Sequence, residues 1–284
     1  MANKPSALDL FISNIKARDK AERSPSETLK ALVESYTGSD EFDKYMLANS
    51  WRIPQYIKAS EGVKTRYRGS AAGKCVQQQA FNVLMHETPE SSILVGTEGF
   101  VRPARQMRAL HNGTFGHARW HLVFDGLHER GEVETLCNEV RNVSSTLNLS
   151  GSLDRMIAFP FEGERFTAVI DFKTMKSGYW MPLREPQADH ARQHHAYRIL
   201  GWKANAWMML YENKDTHELK IYDREYDDVI TKELLNNYAI METWVGEVEN
   251  NAPLTVTLPL ETTWCGFCNF RKPCKLLHPE EPVF

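Results

Sequence analysis

The chain has 284 residues, which suits one large domain or one domain with appendages. Its 42 % hydrophobic and 11 % aromatic content is ample for a core and excludes a disordered chain. With 34 basic against 37 acidic residues the net charge is −3, which excludes nucleic-acid binding by overall charge but not an acidic cleft with a basic rim.

The N-terminal stretch MANKPSALDLFISNIKARDK lacks the apolar core of a signal peptide. Leu8, Leu10, Phe11 and Ile15 recur there at helical spacing. Ser24-Pro25 marks a second helix start, and a break around residues 69–73 precedes the helical stretch CVQQQAFNVLM. After Pro103 a long segment is expected to be helical in its later part, from about residue 114 to 129. The texture then changes to β-branched residues and alternation. VETLCNEV, SSTLNLSGSLDRMIAF and RFTAVIDFKT read as three strands, the last two joined by a turn at Glu162-Gly163. A helix over about 188–200, strands AWMMLYE and LKIYD, and a helix over about 226–248 follow. The proline- and cysteine-containing tail from Asn250 reads as irregular. The order predicts an α/β fold, a mixed central sheet flanked by helices, with a helical N-terminal region (1–65) before the main domain (66–284).

No run of about 18 apolar residues is present, so no membrane span is expected. Five cysteines without a secretion signal point to a reduced, cytoplasmic setting and to metal rather than disulfides. Basic residues gather at Lys64, Arg66, Arg68 and Lys74, and again at Arg102, Arg105, Arg108 and Arg119. Charge alone leaves these as either a solvated face or a phosphate contact.

Asp171 and Lys173 are two apart on a predicted strand, so both emerge on one face. Asp154, after Gly151 in the preceding strand, is brought towards Asp171 by the hairpin. Converging carboxylates repel unless a cation lies between them, and Mg²⁺ or Mn²⁺ suits oxygen ligands. Such an ion activates water and holds a scissile phosphate, while a lysine orients the water and offsets charge on phosphorus. A D-x-K pair alone also fits a surface strand pairing its own charges.

GSLDRM followed after a hairpin by AVIDFKT resembles the catalytic signature of the PD-(D/E)XK nuclease superfamily, in its RecB-like branch. The resemblance implies a restriction-endonuclease-like sheet, Asp154 and Asp171 as metal ligands, and Lys173 as the catalytic lysine. It also implies a histidine on the helix before the sheet, matched by His117 in HNGTFGHARWHLVF ahead of His121 one turn later. An imidazole there would favour Mn²⁺ over Mg²⁺. A Q-x-x-x-Y pair is implied on the helix after the third strand, matched by Gln193 and Tyr197, neighbours at i and i+4. His190, His194 and His195 adjoin it but lack a matching partner for a zinc site.

Cys265, Cys268 and Cys274 give C-x2-C-x5-C, which calls for a fourth ligand from Cys75 or Cys137. Cys75, at a helix start behind RGSAAGK, suits a thiolate better than Cys137, which reads as a core thiol. Zinc and a [4Fe–4S] cluster both accept four thiolates. One distant cysteine plus this triplet is similar to the AddB nuclease domain and the CRISPR-associated RecB-like exonucleases, which favours the structural iron–sulfur cluster. The resemblance spans about residues 68–274 and implies a DNA exonuclease in recombination, repair or DNA processing, in a bacterial cell or phage-infected host. DNA, and a single-strand-binding or annealing protein, would be its partners. A restriction-type endonuclease and a non-catalytic DNA-binding protein are the alternatives. No Walker motif is present, so no helicase is fused to the chain as given.

Overall fold

The computed structural model describes residues 23–56, 65–87 and 104–280, without the side chains of residues 86–87, 104–110, 264 and 267. The amphipathic stretch around Leu8 to Ile15 therefore lies outside the described residues. Helices α1 (Pro25–Thr37), α2 (Asp40–Asn49) and α3 (Ile53–Tyr56) come first, then the short strand β1 (Tyr67–Arg68) and helix α4 (Val76–Glu87). Ser24 starts α1 with a reciprocal capping box, its hydroxyl accepting from Glu27 N–H while the Glu27 carboxylate accepts from Ser24 N–H. The long α5 (Ala104–Glu129) begins ten residues before the expected start near Thr114. Its mixed polar first turns carry no apolar stripe that would have marked them as helical.

Strands β2 (Glu134–Ser144), β3 (Leu149–Phe161) and β4 (Glu164–Met175) form an antiparallel meander, followed by α6 (Ser177–Trp180) and α7 (Ala188–Ile199). Glu162 and Gly163 turn the β3–β4 hairpin with φ of 51° and 84°, the left-handed pair that matches strand twist. Strands β5 (Ala206–Asn213) and β6 (Leu219–Arg224) complete a six-stranded sheet, with β5 parallel to β4 and β6 antiparallel to β5. Helix α8 (Asp228–Glu249) and a short α9 (Arg271–Leu277) follow. The tail is thus less irregular than its prolines suggest, because α9 buries Cys274. The mixed central sheet flanked by helices that the sequence predicts is present.

Each sheet face has its own core. On one, Leu29, Val33 and Tyr36 of α1 and Trp120, Phe124 and Leu127 of α5 meet Ile157, Ile170 and Phe172. On the other, α4, α7 and α8 bring Phe81, Tyr197, Tyr238 and Trp244 over Leu153 and Val169. Each fully buried large apolar side chain contributes about 1.5–3 kcal/mol. β4 is buried on both faces from Ala168 to Phe172, which explains its apolar run Ala168–Ile170 and makes the buried Asp171 that follows the exception. The N-terminal helices are also tied by charge: Asp125 pairs with both Arg52 and the fully buried Arg155, and accepts from Tyr56. Among the described residues no helix is long and apolar enough to cross a membrane.

The loop before α4 lies directly against the start of α7. A Cβ on Gly73 would overlap the Asp189 backbone, which has no flexible end to move aside. Gly73→Ala should therefore cost about 1–3 kcal/mol, read as a lowered midpoint in urea with an unchanged slope. A midpoint equal to that of the parent protein would show that the loop can withdraw.

Candidate active site

One edge of β3 pairs with β2 along most of its length. The other edge pairs with β1 at Leu149–Ser150 and with β4 only from Arg155 onwards. Between these ladders β4 has peeled away from β3, and helix α7 closes over the gap. Gly151 lies at this point, where a Cβ would stand 2.8 Å from Leu200 and 3.3 Å from Tyr197. The glycine of the G-x-x-D pattern thus sits under two side chains of the helix region, which a Cβ would press aside. Asp154, at the end of the β3–β4 ladder, accepts the Phe172 N–H through Oδ2 at 2.7 Å. A charge-assisted bond of this kind contributes about 1.5–3 kcal/mol.

That bond places Asp154 beside the strand position of Asp171. Asp171 is 1 % exposed; its Oδ1 accepts from Gln193 Nε2 at 3.0 Å and from the Tyr197 hydroxyl at 3.3 Å. Lys173 forms an ion pair with its Oδ2. On the other side, His117 Nδ1 of α5 stands 3.4 Å from Asp154 Oδ2. The two carboxylates differ in character. Burial pushes the Asp171 carboxyl up to about 6 against the pull of Lys173, with the Asp154 charge adding to the rise. Burial acts on Asp154 as well, but His117, Lys173 and the Phe172 N–H outweigh it and hold the carboxyl below its usual range. Burial also opposes the charge on Lys173, yet Asp171 and Asp154 keep its ammonium proton more firmly held than usual.

Among the described residues, no three His, Cys, Asp or Glu side chains already stand close enough to one point to hold an ion. The carboxylates are paired off with protein cations instead, Asp154 with His117 and Asp171 with Lys173. The donor set nonetheless fits a small hard cation, since two buried carboxylates and one imidazole flank the same gap between strands.

His121 points elsewhere. Its Nε2 bonds Glu139 at 2.9 Å and its ring stacks on Tyr56, so the turn that separates it from His117 removes it from the carboxylates. The α7 histidines have three separate partners: His190 on the Tyr211 hydroxyl, His194 on Met209 Sδ, and His195 on the Thr231 hydroxyl. They share no ligand position. Tyr211 escaped sequence reading although it borders the site, and His190 was read only as one of three histidines without a zinc partner. Tyr211 lies opposite Lys173 only through the parallel β4–β5 register, which no local pattern announces. Burial, with Lys173 adding to it, holds the His190 imidazole down to about 4, hence neutral.

Cys75, Cys265, Cys268 and Cys274 line one cavity with Gln77, Phe81 and Phe270. All are free thiols. Burial, then the neighbouring cysteines, pushes the Cys274 thiol up to about 11, and burial raises Cys265 and Cys268 as well. Four thiols on one cavity are a donor set that zinc or an iron–sulfur cluster accepts, though they do not already converge on one point. Cys137 is apart from them, half-buried in β2 beside a register shift between Thr135 and Cys137.

The basic clusters divide. Arg66 bonds Glu242 and Glu249, and Arg119 pairs with the buried Glu212, so both are engaged within the fold. A phosphate contact by these two would have to displace acidic partners that come from elements distant in sequence. Arg68 of β1 and Lys74 of the loop packed against α7 are exposed. Lys64 and Arg102 fall outside the described residues, as do the Arg105 and Arg108 side chains.

No protein-family model matches the chain, and no curated protein matches it. Among solved structures it is similar to the crystal structure of SSO0001 at 15 % identity, covering 81 % of this chain and 94 % of that one, with TM-score 0.43. It is also similar to the alkaline exonuclease LHK-Exo from Laribacter hongkongensis, at 13 % identity over 72 % of this chain and 97 % of that one, with TM-score 0.43. The complex of LHK-Exo with dAMP gives 15 % identity, the same two coverages and TM-score 0.42. Likenesses this distant establish no shared chemistry.

Proposed function

We propose that the chain is a divalent-metal-dependent nuclease that hydrolyses DNA phosphodiester bonds from an end, in recombination, repair or DNA processing. The observation that supports this reading is the meeting of Asp154, Asp171 and Lys173 where β3 and β4 separate, backed by His117 from α5 and by Gln193 and Tyr197 from α7.

Asp154, Asp171 and His117 would hold Mg²⁺ or Mn²⁺, which supplies Lewis acidity towards water and neutralises charge on the phosphate. Asp154 is fixed by the Phe172 N–H, and Asp171 by Gln193 and Tyr197, so both carboxylates are oriented before substrate arrives. Burial keeps Tyr197 protonated, well above its ordinary range, so its hydroxyl remains a donor to Asp171. Lys173 keeps its proton beside Asp171, which suits it to orient the attacking water and offset charge on the phosphoryl oxygens rather than to act as a base. Water attacks phosphorus in line, the 3′-oxygen leaves, and a 5′-phosphate is produced. Arg68 and Lys74 would contact backbone phosphates without reading sequence. The four cysteines would hold a structural [4Fe–4S] cluster, or zinc.

Incubation of linear and closed circular DNA with Mn²⁺ tests the reading. Shortening of the linear molecule with the circle intact is the expected result. Nicking of the circle favours an endonuclease, and absence of cleavage on both overturns the proposal.

A further inference from the structure

Helix α5 brings His117 to Asp154, with Nδ1 3.4 Å from Oδ2. His117, His121 and Asp125 are spaced by four, so they lie along one stripe of that helix. The two later turns of the stripe are gripped from either side of Asp154. Arg155, the next residue in β3, is fully buried; its Nη1 donates to the His121 carbonyl at 2.9 Å and its Nη2 to Asp125 Oδ1. In β2 the register pairs Asn138 with Arg155 and Val140 with Leu153, which sets Glu139 opposite Asp154. Glu139 has a left-handed φ of 47°, and its carboxylate accepts from His121 Nε2 at 2.9 Å.

The N-terminal helices close the arrangement. Arg52 Nη2 stands 2.8 Å from Asp125 Oδ2, the Tyr56 hydroxyl donates to the same oxygen, and the Tyr56 ring stacks on His121. Stability alone does not call for this chemistry. A buried ion pair offsets its own desolvation poorly, and apolar side chains of similar volume serve a core as well. Arg155 Nε is even left without a hydrogen-bond partner. What the guanidinium fork supplies is direction: it spans two acceptors one turn apart on α5, from the residue next to Asp154.

We propose that Arg155 is a positioning residue for the candidate metal centre: with Glu139 and Asp125 it fixes α5 against β3 and so sets the approach of His117 to Asp154. This role rests on the nuclease reading, in which His117, Asp154 and Asp171 hold a divalent cation. It gives the N-terminal helices a role as well, since Arg52 and Tyr56 complete the brace at Asp125.

Calorimetric titration of the full chain with Mn²⁺ and with Mg²⁺, without DNA, tests the positioning. Arg155→Lys keeps a charge beside Asp125 but cannot span both acceptors. It should weaken Mn²⁺ about tenfold. Mg²⁺ should weaken by less than about twofold, because an imidazole favours Mn²⁺. His117→Ala should show the same selective loss, and His117→Ala/Arg155→Lys should bind Mn²⁺ no more weakly than His117→Ala alone. Arg52→Met alters a side chain that is 25 % exposed and spares the Arg155–Asp125 pair, so it carries the same comparison if Arg155→Lys does not fold. It should give a smaller loss of Mn²⁺, again absent in the His117→Ala background. A lowered thermal midpoint with unchanged Mn²⁺ binding would reduce Arg155 to a stabilising residue. A loss that persists undiminished without His117 also overturns the positioning, and either result leaves the metal centre standing. A parent chain that binds neither cation removes the metal centre itself.

Discussion

Asp171→Asn should lower Mn²⁺-dependent DNA cleavage by at least about a thousandfold while leaving the protein folded. The carboxylate it removes is almost fully buried and takes donors from Lys173, Gln193 and Tyr197. Asparagine keeps its shape and one acceptor oxygen, but loses the negative charge that a hard cation requires. The fold should tolerate this because burial already disfavours the ionised form, as the rise of the carboxyl to about 6 records. Lys173 loses its partner, yet its side chain is 22 % exposed and remains near Asp154. Thermal unfolding by circular dichroism separates ligand from reaction. Saturating Mn²⁺ should stabilise the parent, by about 2.7 kcal/mol at a hundred times the dissociation constant, and should not stabilise Asp171→Asn. Lys173→Ala should lose cleavage yet keep the Mn²⁺-induced shift, since a lysine binds no cation. An Asp171→Asn protein that still cleaves would remove the assignment of the site.

The candidate site residues were legible because their spacing is local. D-x-K occupies one strand face, Q-x-x-x-Y one helix face, and Gly151 and Asp154 one strand. What local spacing does not contain is why those positions are as they are. Gly151 lies against the side chains of Tyr197 and Leu200, which arrive from some fifty residues later. Asp154 reaches Asp171 because it caps Phe172 N–H where a ladder ends, a feature of strand registry rather than of composition. The same limit applies to charge. Arg66 and Arg119 read as basic-patch members, whereas Glu242, Glu249 and Glu212 claim them across the fold. In β5 every residue is buried, so no alternation distinguishes the face that puts Tyr211 opposite Lys173. The exposed Tyr179 left no trace either, since an aromatic pair such as Tyr179-Trp180 does not say which ring will be buried.

The cysteines carry the second large effect. Cys265→Ser/Cys268→Ser should yield colourless protein, where the anaerobically purified parent should be brown with broad absorbance near about 400 nm. It should also unfold about 10–20 °C lower. The physical reason lies in how the C-terminal segment is attached. From Asn250 to Glu280 most residues are exposed, and Leu258, Cys265, Phe270 and Cys274 are its buried anchors among the described residues. A group shared by Cys75 and Cys265 would close a loop of about 190 residues, and constraining so long a loop contributes about 5 kcal/mol in the chain-entropy account. In a chain of this size each kcal/mol moves the midpoint by about 2–4 °C. The raised thiols point the same way: folding packs Cys265, Cys268 and Cys274, which resist ionisation, around one cavity, and a bound cation would offset that resistance by releasing their protons. Iron and acid-labile sulfide analysis decides the occupant. Colourless parent protein with one zinc per chain would replace the cluster but keep the four-thiolate site. Parent protein with neither metal, unfolding at the same temperature as the double variant, would remove the site altogether.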